Sequence, residues 1–438
     1  MLRGRFGLPL GDTHPTAINF SSIAARGFPP PVPPAAWASE ELAGFGAILQ
    51  RSAGTPAEAF LALKASPNRI HYHGDQLSVH YASHGARIVI DIMAGYNPRP
   101  YQESWHNRLC FGAATAATTQ NADAYERLVA FAAGRAGAGA AAVAVGQLTS
   151  TRLQTLPANP PQPYLAVYPY TPLAAPLTYR RTAVLVPGDG GAPGARDYVV
   201  LVDAHNASAL GVGAYGALCF FQQDGVVSTA RGPGALDMGN GTVFVFAANA
   251  GAPVPVALVT DRWDWPSEGN ESATRVRAFP AAGASAPTTL FVTLLYPDGS
   301  LMPPVAGAGG GGASTPAVSF DPARGALTVA CPSAPGAPDV LQLAGLATDA
   351  SAEPGAGGGG AAAPPPVTLT RAGGAPVVLL DAADVDLDRS QGEIGLAVTD
   401  AGYTFGEVPA WVLRQRGGDG ALVAAPPEWP WPPGDAAP

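Results

Sequence analysis

Lysine is almost missing from this chain. One, Lys64, stands among 438 residues, and the Lys+Arg total of 24 leaves 23 arginines. Charged residues of both signs make up 13 %, about half the roughly 25 % of an ordinary soluble domain. The formal net charge is −9, so a general nucleic-acid binder is excluded. No run approaches the ~18 continuous apolar residues of a membrane span, and none is expected. Gly-X-Y periodicity is absent, so collagen is excluded. The three cysteines, Cys110, Cys219 and Cys331, lie far apart and form neither a CxxC pair nor a disulfide framework. They leave the redox compartment open. The N-terminus, MLRGRFGLPLGDTHP, has no apolar h-region, and no secretory leader is expected. A G-x-S-x-G element is lacking, which leaves a serine hydrolase unsupported. The Gly runs lack the strand and helix context of a phosphate loop.

What the chain has in excess is Gly, Pro and Ala. With arginine used in place of lysine, this is the bias of a GC-rich coding sequence. Its distribution divides the chain. Residues 1–44 are a Pro-rich segment. Residues 45–345 read as a β-sandwich domain, 346–423 as a second β-rich region and 424–438 as an irregular tail. The low-complexity stretches 133–145, 303–314 and 352–366 read as surface insertions and loops. Strand signals dominate. LSVHY (77–81), the turn SHG (83–85) and ARIVID (86–91) predict a hairpin. Further β-branched runs are TYRRTAVLVP (178–187), DYVVLVDA (197–204), TVFVFAA (242–248), TTLFVTLLYP (288–297) and GALTVAC (325–331). Few helices are expected: a short one over 123–133 and another near either 39–50 or 56–63. The fold class expected is all-β: an antiparallel, multi-stranded sandwich of stacked sheets carrying Gly/Ala/Pro insertions.

Five of the seven histidines, His71, His73, His80, His84 and His106, fall within 36 residues. In a strand, residues two apart share a face, so His71 and His73 point the same way. Asp91 ends the next strand, and His106 follows a Gly-Tyr-Asn-Pro loop. Two imidazoles and a carboxylate suit Zn²⁺. His80 and His84 flank the turn and read as ordinary surface or packed residues. Cys110 reads as a small apolar core residue.

This segment resembles the heparinase II/III-like polysaccharide lyases, which include alginate-lyase-like members. The resemblance rests on HYHGDQLSV (71–79), GARIVID (85–91) and WHN (105–107), with weaker pieces downstream, DRWDWPSEGNES among them, and covers roughly 45–300. It implies a zinc ion, mainly structural, held by His73, Asp91 and His106. It also implies a catalytic role for His71, an anionic polysaccharide substrate and a secreted or cell-envelope setting. The reaction implied is β-elimination on a uronic-acid-containing polymer: a base removes the C5 proton and an acid protonates the leaving oxygen at C4. A uronate needs local cations in an acidic chain. Arg99 and Tyr96 are the candidate substrate-binding residues, with Arg87, Arg108, Tyr101 and Trp105 nearby. The family's β-sheet domain follows a helical toroid. About 70 residues precede His71 here, so a separate toroid domain is an expected partner and the isolated chain is expected to show weak or no elimination. Two other classes remain open. One is a non-catalytic, zinc-stabilised carbohydrate-binding β-sandwich. The other is a cupin-like metal oxygenase, which wants a Glu shortly after the HxH pair, where this chain has Asp75, Gln76, Leu77 and Ser78.

Overall fold

The computed structural model describes residues 39–42, 46–53, 55, 57–65, 74–91, 103–112, 118–133, 141–157, 170–188, 196–222, 229–265, 271–281, 288–298, 315–331, 338–343, 366–371, 374–381, 384, 396–399 and 402–405. Among them there are strands and short 3-10 turns but no α-helix. Every strand pairing is antiparallel, and the sheets do not close into a barrel. The all-β sandwich expected from the sequence is what forms.

Three layers stack. The front layer holds β1 (Glu40–Leu42), β2 (Gly46–Arg51), β3 (Ala59–Lys64), β4 (Val79–Ser83), β5 (Ala86–Val89), β6 (Arg108–Phe111), β11 (Ala214–Gln222), β16 (Val256–Trp265) and β17 (Glu271–Pro280). The middle layer holds β7 (Thr118–Ala133), β8 (Ala142–Pro157), β9 (Tyr170–Val186), β10 (Tyr198–His205), β18 (Leu290–Tyr296) and β14 (Thr242–Asn249), paired in that order. Short strands β12 (Thr229–Gly232), β13 (Ala235–Asp237) and β15 (Ala252–Val254) flank β14. The Phe111–Gln120 pairing of β6 with β7 joins the two layers at one corner. The back layer is β19 (Ala317–Asp321), β20 (Ala326–Ala330), β21 (Asp339–Gln342), β22 (Val367–Thr370) and β23 (Val377–Leu380). It draws strands from both sides of residue 345. A separate pair, β24 (Leu396–Thr399) and β25 (Gly402–Phe405), follows.

The middle layer explains why so many strands read as unbroken apolar runs. Successive strand residues point to opposite faces. On β10, Val199 and Leu201 pack toward the front layer, while Val200 and Val202 pack toward the back. On β18, Phe291 and Leu295 face forward, and Val292 and Leu294 face backward. β8 does the same with Ala142 and Ala144 against Val143 and Val145. A sheet covered on both sides selects apolar residues at every position.

The helix expectations are corrected: the segments 39–50, 56–63 and 123–133 carry strands β1–β2, β3 and β7. DAYERLVAFAA (123–133) contains good helix formers, but β7 pairs with β8 over its whole length. Leu128 and Val129 are buried on opposite faces. Tertiary burial overrides a propensity difference of a few tenths of a kcal/mol per residue. The stretch 133–145 is likewise not all surface: Ala141 to Val145 are buried at the start of β8. The predicted hairpin forms. Its turn residues His84 (φ 53°) and Gly85 (φ 75°) take left-handed conformations, as a type I′ turn requires.

Candidate functional site

The site lies on the outer face of the front layer. On β4, Val79 and Tyr81 point into the sandwich, which turns His80 outward. Asp91 follows β5, and a 3-10 turn (Glu103–Trp105) delivers His106. The His106 side chain is fully buried, and its Nδ1 lies 2.6 Å from Asp91 Oδ1. Without a metal, one proton is shared across this contact and holds the ring against the carboxylate; a metal taken up by both atoms would displace that proton. The other carboxylate oxygen, Oδ2, lies 3.7 Å from His80 Nε2.

Two of the three ligands expected from the sequence, Asp91 and His106, are therefore brought together. The third, His73, lies outside the described residues, as do His71, Tyr96 and Arg99. An imidazole beside a carboxylate fits zinc in donor type. Among the described residues, no group of three His, Cys, Asp or Glu side chains is placed to hold a metal ion.

A buried polar scaffold supports the pair. The Asn107 side chain donates from Nδ2 to the carbonyls of Val79 and Ile90, both at 2.7 Å, and accepts from the Cys219 N–H at 2.5 Å. One amide thus ties the loop carrying His106 to β4, to the end of β5 and to β11. Arg181 on β9 faces forward and reaches across the sandwich. It donates to the carbonyls of Leu77 and Asn107 and pairs with Asp203 through Nε–Oδ1 at 2.7 Å and Nη2–Oδ2 at 2.9 Å. Burial alone would lower the Arg181 pKa, but Asp203 overrides it and the net shift is upward. Arg108, fully buried, donates to Gly74 O at 3.0 Å and Gln76 Oε1 at 2.5 Å. It is structural and cannot serve as a substrate cation. The chain's one lysine bridges Asp75 (2.8 Å) and Glu126 (2.9 Å), and Glu126 also accepts the Leu77 N–H at 2.9 Å. Burial raises the Glu126 pKa, with Lys64 opposing. All these contacts converge on residues 74–78 and 103–108, which flank the site.

Outward from the pair, the Arg275 guanidinium stacks on Trp105 at 3.8 Å. It also pairs with Asp261 at 2.8 Å and donates to the Ser104 carbonyl at 3.3 Å. Arg87 lies over Phe221 at 3.9 Å. Cys110 is fully buried and its thiol is pushed up to about 12 by burial. It is an inert core residue, as the sequence suggests.

No protein-family model matches the sequence, and no curated protein matches it. Among solved structures, the chain is similar to the heparan sulfate lyase HepC from Pedobacter heparinus and to a mutant of it. For HepC the identity is 14 % and the TM-score 0.41, over 72 % of this chain and 43 % of the lyase. For the mutant the identity is 13 % and the TM-score 0.41, over 70 % and 43 %. This chain therefore spans less than half the length of those lyases.

Proposed function

We propose that this chain is a polysaccharide lyase, or the β-sheet portion of one, acting on uronic-acid-containing polysaccharide by β-elimination. In this reading His73, Asp91 and His106 hold a zinc ion. The observation that carries it is the contact between the buried His106 ring and Asp91 on the outer face of stacked antiparallel sheets. Nothing in composition or strand patterning requires residues 91 and 106 to meet; the resemblance does. Zinc would contribute binding energy that anchors the loops, as at structural sites generally.

The chemistry assigns roles to the remaining candidates. A base, for which His71 is proposed, takes the C5 proton. The C–H electron pair becomes the C4=C5 bond, the C4–O bond breaks, and the departing oxygen takes up a proton. Arg99 and Tyr96 are proposed at the uronate carboxylate, whose neutralisation makes the C5 proton acidic.

Two measurements test the proposal. Elemental analysis of the purified chain is expected to find one zinc per chain, lost in His106→Ala. Ultraviolet absorbance of the new C4=C5 bond is to be followed on alginate, heparin, heparan sulfate and chondroitin, with the chain alone and with a separately supplied helical domain. Elimination in either case supports the reading. Absence of zinc, together with absence of elimination on every polymer, overturns it. Uronate binding with zinc but without elimination assigns the chain to the carbohydrate-binding class instead.

A further inference from the structure

We infer that His80 is a substrate-contacting residue of this same site, donating a hydrogen bond to an oxygen of an acidic sugar; the inference rests on the reading above. The single carboxylate of Asp91 stands between two imidazoles in contrasting surroundings. His106 is fully buried and committed to Asp91 by a 2.6 Å hydrogen bond. The His80 side chain is 45 % exposed, and its 3.7 Å separation from Asp91 exceeds the ~2.7–3.2 Å of an N–H···O hydrogen bond. Its ring faces the carboxylate without being hydrogen-bonded to it. Of the two rings, His80 is the one a polymer can touch, because a chain of sugars cannot enter a closed core.

The layout of the front layer says where that polymer would lie. A lateral row crosses the strands from His80 to Ile90, then Cys219, Arg275 and Asp261, with Asp91 one residue beyond Ile90 and Cys219 fully buried against the Trp105 carbonyl. The Ile90 N–H donates to Cys219 O at 2.9 Å. Cys219 is paired with Arg275 and Arg275 with Asp261. Four steps between neighbouring strands span ~19 Å. Along the row, aromatic Trp105 carries Arg275 on its face, and the Asp91–His106 pair sits near the other end beside His80. The resemblance puts the metal on His73, Asp91 and His106 and leaves His80 outside that set.

The test is binding of tetrasaccharides from alginate, heparan sulfate and chondroitin, measured by calorimetry on the full chain, His80→Ala and His80→Gln, with a neutral glucan tetrasaccharide as control. Zinc content and melting temperature are measured on all three proteins. His80→Ala is expected to keep both and to bind the best acidic tetrasaccharide about tenfold more weakly. His80→Gln, which retains an N–H donor, is expected to recover much of that loss. Unchanged affinity in His80→Ala overturns the inference while leaving the proposed function standing. Loss of zinc in His80→Ala also overturns it, by making His80 a ligand. Failure of the unaltered chain to bind any acidic tetrasaccharide also overturns the inference, and the proposed function is then decided by the zinc and elimination measurements alone.

Discussion

Replacing Asn107 by alanine removes two donors and one acceptor from a place water does not reach. Val79 O, Ile90 O and the Cys219 N–H lose their partner together. At ~1–3 kcal/mol for each stranded buried group, partly relaxed, the expected loss is about 3–5 kcal/mol in urea denaturation. Asn107→Asp is expected to fare no better, because a carboxylate cannot donate to two carbonyls. His205 gives a pH dependence instead. Burial pushes its pKa down from 6.5 to about 4, with Asp203 opposing. The folded state therefore resists protonation that the unfolded chain accepts. The resulting stability is present above pH 6.5 and is lost as pH falls toward about 4, by up to about 3 kcal/mol. Urea titrations across that range are expected to show the slope, and His205→Leu to flatten it. The sequence names Asn107 within WHN but not what it does, and it does not single out His205. Asn107 acts through backbone groups up to 112 positions away, and His205 looks like any histidine at a strand end.

Within the front layer, two glycines separate backbone conformation from packing. Gly85 has φ 75° and open space where a Cβ would go. Gly85→Ala is expected to cost about 1 kcal/mol through conformation alone. Gly46 has φ 138°, and a Cβ there would lie 2.3 Å from Leu63 O. Gly46→Ala must push β2 from β3 and is expected to cost clearly more, read as the difference in denaturation midpoint between the two variants. The β4–β5 hairpin was legible because its turn chemistry is local: SHG sits between alternating strands. β9, β10, β14, β18 and β20 were legible because β-branched runs mark strands whatever covers them. β7 was not, since only its long partner β8 makes an Ala/Leu/Glu-rich segment extended. At the site, Asp91 and His106 could be named from the resemblance. His80 could not be linked to them, because their approach depends on the irregular register between β4 and β5 at Tyr81–Ala82. Arg181 and Glu126 reach the site from the layer behind, and no spacing along the chain announces that.

At the scale of the molecule, the back layer is a cover. Val143, Val184, Val200, Val292 and Leu294 of the middle layer pack against Leu327, Val329, Leu341, Leu369 and Leu380. Tyr198 Oη bonds Asp339 across the seam at 2.8 Å. A chain ending at residue 316 would bare that surface as one apolar patch. It is expected to aggregate or bind a hydrophobic dye strongly when refolded; a soluble chain with an unchanged melting temperature would show the cover to be dispensable. The doubly covered middle layer also sets a gradient of motion. Amides of β10, β18 and the buried part of β9 (177–186) can reach deuterium only when both neighbouring layers come away, so they exchange at the rate of global unfolding. β16, an edge strand paired on one side by β17, opens by local fraying. The face that carries His80, Asp91 and Arg275 thus lies on the side of the slab that breathes first, while the guanidinium and carboxylate anchoring it from behind, Arg181 and Asp203, sit among the slowest-exchanging strands.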